Sequence, residues 1–488
     1  MSPSTKLFIA ITTPFLFGMS SYVCANAQNV ETTEHVVLQP TQPSSNQEIP
    51  VLTLEQCLEI ALNTNPTITV AQMEITRMDY ARKDVLAQLL PNIAFGANYS
   101  RTLAKQVAYM DFDMSSLGGG LGGGSTDDEN SQPASRASSG KSDGIKMGRD
   151  NSWQLGFNAS LPLIAPQLWA SLSLSDSQIA QSVEQARASR LNLVNQVCNA
   201  YYQLLLAHDS QRVIQESYDM AKLTNDIYTK QFQAGAASEY DVLRTSVAMK
   251  NVEPELLQAD IAIRRAQLQL HVLMGMPVEF EFDIAGQLSD YENTMYNDAL
   301  LLDTDYSNNT TLMMNTLQQN TMNESLKVAK RAWYPTLALT ASYNWTSSSN
   351  GSPFTGLRWN PYSLVGLSLN LPIYQGGSRW NKIKEAEIQV EQLALTREDL
   401  EKTVSMQVDL ARDNVMLNVK QIASNAENVG QAERAHKIME QSFQIGAASY
   451  LELRDAELAL TQTRLTYYQS IYNYLIARSE LNLLLGRE

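Results

Sequence analysis

The 488-residue chain is predicted to be mainly α-helical with a membrane β-barrel, built from one strand-and-helical-hairpin repeat used twice. Three observations predict this fold class. Sequence landmarks recur at a near-constant spacing, short segments alternate apolar and polar residues as strands do, and helical periodicity continues for longer than any single globular core is wide.

The recurrence is visible residue by residue. Phe232-Gln233-Ala234-Gly235-Ala236-Ala237-Ser238 returns as Phe443-Gln444-Ile445-Gly446-Ala447-Ala448-Ser449, 211 residues on, and Leu270-x-x-Leu273-x-Gly275 returns at the same spacing as Leu481-x-x-Leu484-x-Gly486. Leu161-Pro162-Leu163 returns as Leu371-Pro372-Ile373 after 210 residues, but Pro91-Asn92-Ile93-Ala94 matches Pro335-Thr336-Leu337-Ala338 at a spacing of 244. The first copy therefore carries an insertion of about 34 residues between these landmarks. The repeats are assigned to residues 51–290 and 291–488.

Ahead of them, Lys6, the apolar run Leu7 to Met19 and Ala25-Asn26-Ala27 read as a secretory signal peptide, residues 1–27, followed by an extended linker, 28–50. Cys24 follows Ser21-Tyr22-Val23, a poor match to a lipoprotein processing site, which favours its removal with the signal over lipidation. Cys57 and Cys198 then remain, and two cysteines in so long an exported chain read as buried free thiols rather than a disulfide framework. After the signal no run of about twenty apolar residues occurs, so a membrane crossing must use strands. A net charge of −15 argues against nucleic acid as a partner, because phosphate binding needs a basic surface.

Four segments have strand periodicity. Trp153 to Leu161 places Trp, Leu, Phe, Ala and Leu on one face and Gln, Gly, Asn and Ser on the other, and Ile93 to Ser100 alternates likewise. In the second copy Leu337, Leu339, Ala341, Tyr343 and Trp345 alternate with Ala338, Thr340, Ser342 and Asn344, and Leu367, Leu369 and Leu371 with Ser368 and Asn370. The strands are placed at about 91–101, 152–162, 335–345 and 362–372. Each has the length of about ten residues that a tilted strand needs to cross hydrocarbon, and Tyr99, Trp153, Tyr343, Trp345 and Tyr362 lie where an aromatic girdle would. A soluble sandwich shows the same period; the four segments with aromatic ends together favour the barrel. Four strands cannot close around a hole, and lipid tolerates no unpaired sheet edge, so several copies must share one barrel; three give twelve strands.

The loop from Met114 to Asp150, with Gly118-Gly119-Gly120-Leu121-Gly122-Gly123-Gly124, has too little apolar content to fold alone and reads as a flexible surface loop. No Lys and no helix follow to make it a phosphate cradle. Its counterpart, Thr346 to Asn360, is short.

Helical hairpins are expected at about 167–275 and 378–486. Ile179, Val183, Ala186, Leu193, Val197, Tyr201 and Leu204 are spaced by threes, fours and sevens, and Ile383, Ala386, Val390, Leu393, Leu400, Val404, Ala411 and Val415 repeat the pattern. A helix of roughly 65 residues is about 100 Å long, and a narrow apolar seam of that length packs as a coiled coil. Gly235 and Gly446 supply the left-handed turn that ends each long helix. Ser238 with Asp241 and Ser449 with Glu452 form capping boxes for the returning helices. Pro254 predicts a kink or break near Val252.

At these residues the chain resembles the TolC family of outer membrane efflux proteins, or outer membrane factors. The resemblance runs from Leu52-Thr53-Leu54-Glu55-Gln56-Cys57-Leu58-Glu59-Ile60-Ala61-Leu62 through the Pro-led strands, Leu371-Pro372-Ile373-Tyr374-Gln375-Gly376-Gly377 and both Phe-Gln-x-Gly-Ala-Ala-Ser tips to the Leu-rich end at Gly486. It implies a homotrimer in the outer membrane of a Gram-negative bacterium, a twelve-stranded barrel surrounded by lipid, and a twelve-helix periplasmic tunnel. It also implies a periplasmic adaptor as partner, and through it an inner membrane transporter, making the chain the exit duct of a tripartite efflux or type I secretion system. Segment 276–330 and the helix from Thr53 would form the equatorial region. By position, Glu452, Asp455 and Asp241 would supply gating acids at the tunnel tip. Phe443 stands where a gating Tyr would offer a hydroxyl, and Ala448 where an Arg would offer a charge. The tip turns Gly235, Ala236, Ala237, Ser238, Gly446, Ala447, Ala448 and Ser449 would dock the adaptor. Asp241 and Glu452 acting only as helix caps is an equally good reading, and compatible with gating.

No enzyme is expected, and no cofactor. His35, His208, His271 and His436 are scattered, without a metal-ligand spacing. Met313, Met314 and Met322 suit helix seams better than a soft-metal path. The alternative from another class is a trimeric, barrel-anchored structural or adhesive surface protein without transport, which would project its helices outward.

Overall fold

The computed structural model of the chain describes residues 50–108, 145–277, 279–292, 295 and 304–487. The signal segment, the linker up to residue 49 and most of the Gly-rich loop lie outside the described residues. Numbered along the chain, the described strands are β1 (Val51–Leu52), β2 (Asn92–Arg101), β3 (Gln106–Ala108), β4 (Ile145–Met147), β5 (Asn151–Ile164), β6 (Asp283–Ile284), β7 (Thr336–Ser349) and β8 (Asn360–Asn370). The helices are α1 (Leu54–Thr64), α2 (Pro66–Ala87), α3 (Pro166–Gln233), α4 (Glu239–Met274), α5 (Thr310–Arg331), α6 (Ser378–Gln444) and α7 (Tyr450–Leu485).

The four long strands form one antiparallel sheet in the order β2-β5-β7-β8. Register puts Phe95, Phe157 and Tyr343 on one rung and Ala97, Leu155 and Trp345 on the next. Rings meet along this face: Phe95 and Phe157 at 5.0 Å, Tyr99 and Trp153 at 4.5 Å, and Tyr343 and Trp345 at 4.7 Å between centroids. The same face carries Ile93, Val365 and Leu367, which are 70%, 72% and 67% exposed. A sheet face this apolar and this open is suited to hydrocarbon, not to water. Asn98, Gln154, Asn158, Ser342 and Thr340 occupy the alternate positions, so the other face is polar. On that face the Asn344 side chain lies across Gly156, leaving no room there for a Cβ.

Three strand details differ from expectation. β7 runs to Ser349 rather than Trp345, because Thr346, Ser347 and Ser348 continue the ladder to β5 although they carry no apolar alternation. Tyr362 pairs with Asn344, and so falls on the polar face rather than in the girdle. The two Leu-Pro motifs part company: Pro162 stays inside β5 beside a bulge between Pro162 and Ile164, whereas β8 stops at Asn370, before Pro372. Proline has no N–H to give a ladder, so it sits at a bulge or past a strand end.

All helices leave the sheet at one end. α3 and α6, 68 and 67 residues long, turn back as α4 and α7, each only 36 residues. The shorter helices α2 and α5 pack along the half of the long helices that the returning arms do not reach, α2 on α3 and α5 on both α3 and α6. Each returning arm therefore meets a short helix nearly end to end. At the first joint, Asn65 caps α2 through Thr67 N and donates from Nδ2 to Leu273 O at 2.7 Å, and Thr64 Oγ1 donates to Met274 O. At the second, Asn309 caps α5 through Thr311 N and donates to Leu484 O at 2.7 Å. Gly275 and Gly486 end the arms in left-handed conformation, with φ of 66° and 70°. Arg187 Nη2 donates to Asn308 O, and the guanidinium pairs with Glu184. One joint built twice is the duplication expressed in side chains.

The core lies around these joints. Val197, Tyr201 and Leu204 of α3, Leu270 of α4 and Ile471 and Tyr474 of α7 are buried together with Cys57 and Leu288. β1 pairs in parallel with β6, tying the start of the first repeat to segment 276–330. Tyr201 OH donates to Ala285 O at 2.7 Å, and buried Asp209 accepts from Leu288 N at 3.0 Å. Cys57 is buried and Cys198 half-buried, both free thiols.

The break expected at Pro254 does not occur; α4 is continuous through it. Lys250 and Pro254 are both exposed. The carbonyl that loses its donor therefore faces water, while buried Val252 and Ala259 hold the helix on its partner. Among the described residues no helix is long and apolar enough to cross a membrane.

Gly486→Ala is expected to cost more stability than Gly446→Ala. Both lose a left-handed position, about 1–2 kcal/mol, but a Cβ at 486 would also overlap the Asn308 carbonyl, whereas 446 has open space around it. Thermal unfolding followed by circular dichroism checks the order; equal midpoints would contradict the joint.

Candidate functional site at the hairpin tips

The tips are short because the backbone hydrogen bonds of the turn are all local. After α3, Gly235 at φ 75° lets Ala236 N reach Gln231 O at 2.7 Å and Gly235 N reach Phe232 O at 2.9 Å. After α6, Gly446 at φ 78° does the same for Ala447 N to Ser442 O at 2.8 Å and Gly446 N to Phe443 O at 3.0 Å. This is the helix-ending motif in which two orphan carbonyls find donors. Ser238 and Ser449 then begin α4 and α7 as N-caps.

The expected gating acids divide into two kinds. Asp241 and Glu452 are committed to the capping boxes: Asp241 accepts from Ser238 N at 3.2 Å and Ser238 Oγ at 2.6 Å, and Glu452 from Ser449 N at 2.7 Å and Ser449 Oγ at 2.9 Å. The hydrogen bond from Ser449 N, with that from its hydroxyl, holds the Glu452 carboxyl below the usual carboxylate range. Asp455, one turn on, is exposed. By the 211-residue spacing it takes the place that Arg244 holds in the first hairpin, so the two tips carry opposite charges at equivalent positions.

Phe443 is half-buried rather than free at the tip. Its ring lies 6.4 Å from Tyr228 of α3, which also meets Tyr450 of α7 at 5.7 Å, and Arg244 lies over the Tyr450 ring at 5.4 Å. This cluster joins the two hairpins within one chain, and the sequence reading missed it. The available signal was aromatic placement, with Tyr228 seven residues before Gly235 and Tyr450 four after Gly446. Below it, Thr245 Oγ1 donates to Asn225 Oδ1 at 3.1 Å across the first hairpin. In the second, buried Glu457 faces Arg454 at 3.9 Å. Burial pushes the Glu457 carboxyl up, and Arg454 offsets this in part.

Gly235, Ala236, Ser238, Gly446, Ala447 and Ser449 are exposed, and Ala237 and Ala448 half-exposed. The tips thus present small, uncharged turns flanked by Tyr240 and Leu451, 68% and 51% exposed. Among the described residues no group of three or more His, Cys, Asp or Glu side chains could hold a metal ion.

The chain matches the family described as outer membrane efflux protein over residues 57–276 and 301–487. It is 20% identical to the outer membrane protein TolC of Vibrio cholerae over 333 residues, 68% of this chain and 76% of that one. It is 24% identical to the outer membrane protein TolC of Escherichia coli over 328 residues, 65% of this chain and 66% of that one. Among solved structures, the CmeC outer membrane channel of Campylobacter jejuni superposes with a TM-score of 0.66 at 17% identity, covering 92% of this chain and 90% of that one.

Because the Glu452 carboxyl is held low, its contribution to α7 is complete above the ordinary carboxylate range and is lost as pH falls through the lower folded-state value. Amide hydrogen exchange in the first turn of α7, corrected for intrinsic rates, is expected to quicken in acid in the wild type. In Glu452→Gln it should change little over the same range. Equal acid sensitivity of the two proteins would remove the capping role.

Proposed function

The chain belongs to the outer membrane efflux protein family, and from that premise we propose that it is the exit duct of a tripartite export system, open passively to whatever an inner membrane transporter delivers. The observation that carries this reading is the division of one sheet into an apolar face and a polar face, with every helix leaving from the same end. The apolar face turns to lipid, the polar face to a water-filled bore, and the helices extend into the periplasm.

One copy supplies four strands whose outer edges, on β2 and β8, have no partner among the described residues. Three copies joined edge to edge give twelve strands, enough to enclose an open lumen. The long helices, with exposed apolar residues such as Leu395, Leu410 and Leu417 on α6, then pack between neighbours into a tunnel. The bare tip turns meet a periplasmic adaptor. Asp455 and Glu452, repeated three times around one axis, form an acidic constriction, and Asp241 adds the first hairpin's acid. The Tyr228–Phe443–Tyr450 cluster holds the two hairpins of each copy together. Drug, metal or protein cargo is selected chiefly by the inner membrane partner.

Gly446→Val is expected to leave insertion into the outer membrane intact and to abolish export, read as a sharp loss of resistance to exported compounds. Wild-type resistance would end the docking role of the tips. Asp455→Asn, which leaves both capping boxes in place, is expected to raise single-channel conductance in planar bilayers and to weaken block by multivalent cations. Unchanged currents would remove the acidic constriction.

A further inference from the structure

Where the sheet passes into the helices, three cations converge on a cavity that has no acid in its wall. The cavity, of about 320 Å³, is lined by Arg331 at the end of α5 and by Arg379 and Lys382 in the first turns of α6. The rest of its lining is uncharged, with Thr336, Asn370 and Gln375 among the polar members. The unbroken stretch from residue 324 to 388 carries seven cations, Arg358 alone of them at the far end of the sheet, against three acids. Glu324 pairs with Lys327, and Glu387 with both Lys330 and Lys384. Glu385 is exposed and lies outside the lining. Arg331 and Lys382 are exposed as well, and among the described residues neither has a carboxylate partner.

Strand pairing brings these cations together. β7 and β8 pair from their helix-side ends, Thr336 facing Asn370, so the chain entering the sheet from α5 runs beside the chain leaving it for α6. Arg379 and Lys382, three residues apart on α6, are neighbours on its surface. Arg379 is held by neutral groups only: Nε donates to Gln375 Oε1 at 3.1 Å, Nη1 donates to Pro372 O at 2.8 Å, and the guanidinium lies over the Trp333 ring at 5.5 Å. Its charge is positioned but not neutralised. Thr336 has the parity of Thr340 and Asn344, and Asn370 faces it, so the cavity lies on the polar side of the sheet.

The joint between sheet and helix does not itself require this charge. The first repeat makes the same passage with Ala87 where the 244-residue spacing places Arg331, and with Trp169 and Leu172 where the 210-residue spacing places Arg379 and Lys382. A guanidinium fork binds an oxyanion in bidentate fashion, and an ammonium adds a point charge. Three cations around one cavity exceed the single charge of a carboxylate and suit a phosphate dianion better. We propose that Arg331, Arg379 and Lys382 bind the phosphate group of a small anionic solute in the bore, where it passes from tunnel to barrel. This rests on the reading of the chain as an outer membrane duct and narrows it, because the cargo then includes phosphorylated small molecules.

The test uses the full chain in maltoside micelles and follows binding of inorganic phosphate by phosphorus NMR line width at constant ionic strength. Phosphate is expected to bind saturably, and glucose phosphate to displace it, while glucose, chloride and acetate at equal concentration do not. The double replacement Arg331→Gln and Lys382→Gln removes two exposed side chains without a carboxylate partner, and should weaken binding at least tenfold, about what loss of one charge-assisted hydrogen bond gives. Arg379→Lys should retain part of the affinity. Undiminished binding by the double variant, or equal displacement by chloride or acetate, would overturn the site. So would a site that takes short-chain phosphatidylglycerol and refuses glucose phosphate, since that ligand belongs to the membrane and not to the bore. Planar bilayer recordings of the same preparations separate the two readings: a conducting chain that binds no phosphate ends only the site, whereas a chain that forms no channel ends the duct.

Discussion

Backbone hydrogen bonding at the two free edges of the four-stranded sheet constrains the rest of the molecule. In hydrocarbon each unsatisfied N–H or C=O costs several kcal/mol, and β2 and β8 each present a row of them alongside apolar side chains that have nothing to pack on. Neither strand is blunted by charge or proline along its centre, the devices by which soluble proteins protect an edge. In the duct proposed above, other copies of the chain pair with these edges, and the arrangement of the remaining chain follows. Once the sheet closes with others, the polar side chains around Asn344 face a common interior. The helices, all leaving from the same rim, are then held parallel to one axis.

The helical half meets a different requirement. A helix of about 100 Å cannot be buried in one core, so α3 and α6 need a partner along their whole length. The returning arms cover only part of it. α2 and α5 cover the remainder, and the Asn65 and Asn309 caps, each donating to a carbonyl at the end of an arm, fasten the two pieces. Most of the large buried side chains gather at this level, where five helices and segment 276–330 converge, while toward the tips burial thins to a seam.

Much of this was legible in the sequence because it is written in period and repetition. The alternation at Trp153 to Leu161 specifies a face, and the 211-residue recurrence of Gly235 and Gly446 specifies two equivalent turns. What escaped was written in neither. The polar end of β7 is strand only through its pairing with β5. Tyr362 looks like a girdle residue by type, and register alone puts it on the other face. Pro254 is a helix breaker by local rule, overridden where the freed carbonyl meets water and the flanking residues are packed. The Tyr228, Phe443 and Tyr450 cluster joins positions distant in sequence, and no local pattern links them. At the tips, the capping chemistry of Asp241 and Glu452 was readable from Ser-x-x-acid spacing, but the opposed charges of Arg244 and Asp455 emerge only when the two repeats are laid over each other.

The end-to-end joints between α4 and α2, and between α7 and α5, give the rods an uneven mechanical character. α3 and α6 are covalently unbroken, and each bears bending along its full length like a leaf spring. Beside them, the composite rods are joined at mid-length by side-chain hydrogen bonds and by the packed core around the joints, with no helical ladder running across. A load carried by the composite rods thus passes through those joints, whereas one carried by α3 and α6 runs from tip to sheet along unbroken helical backbone.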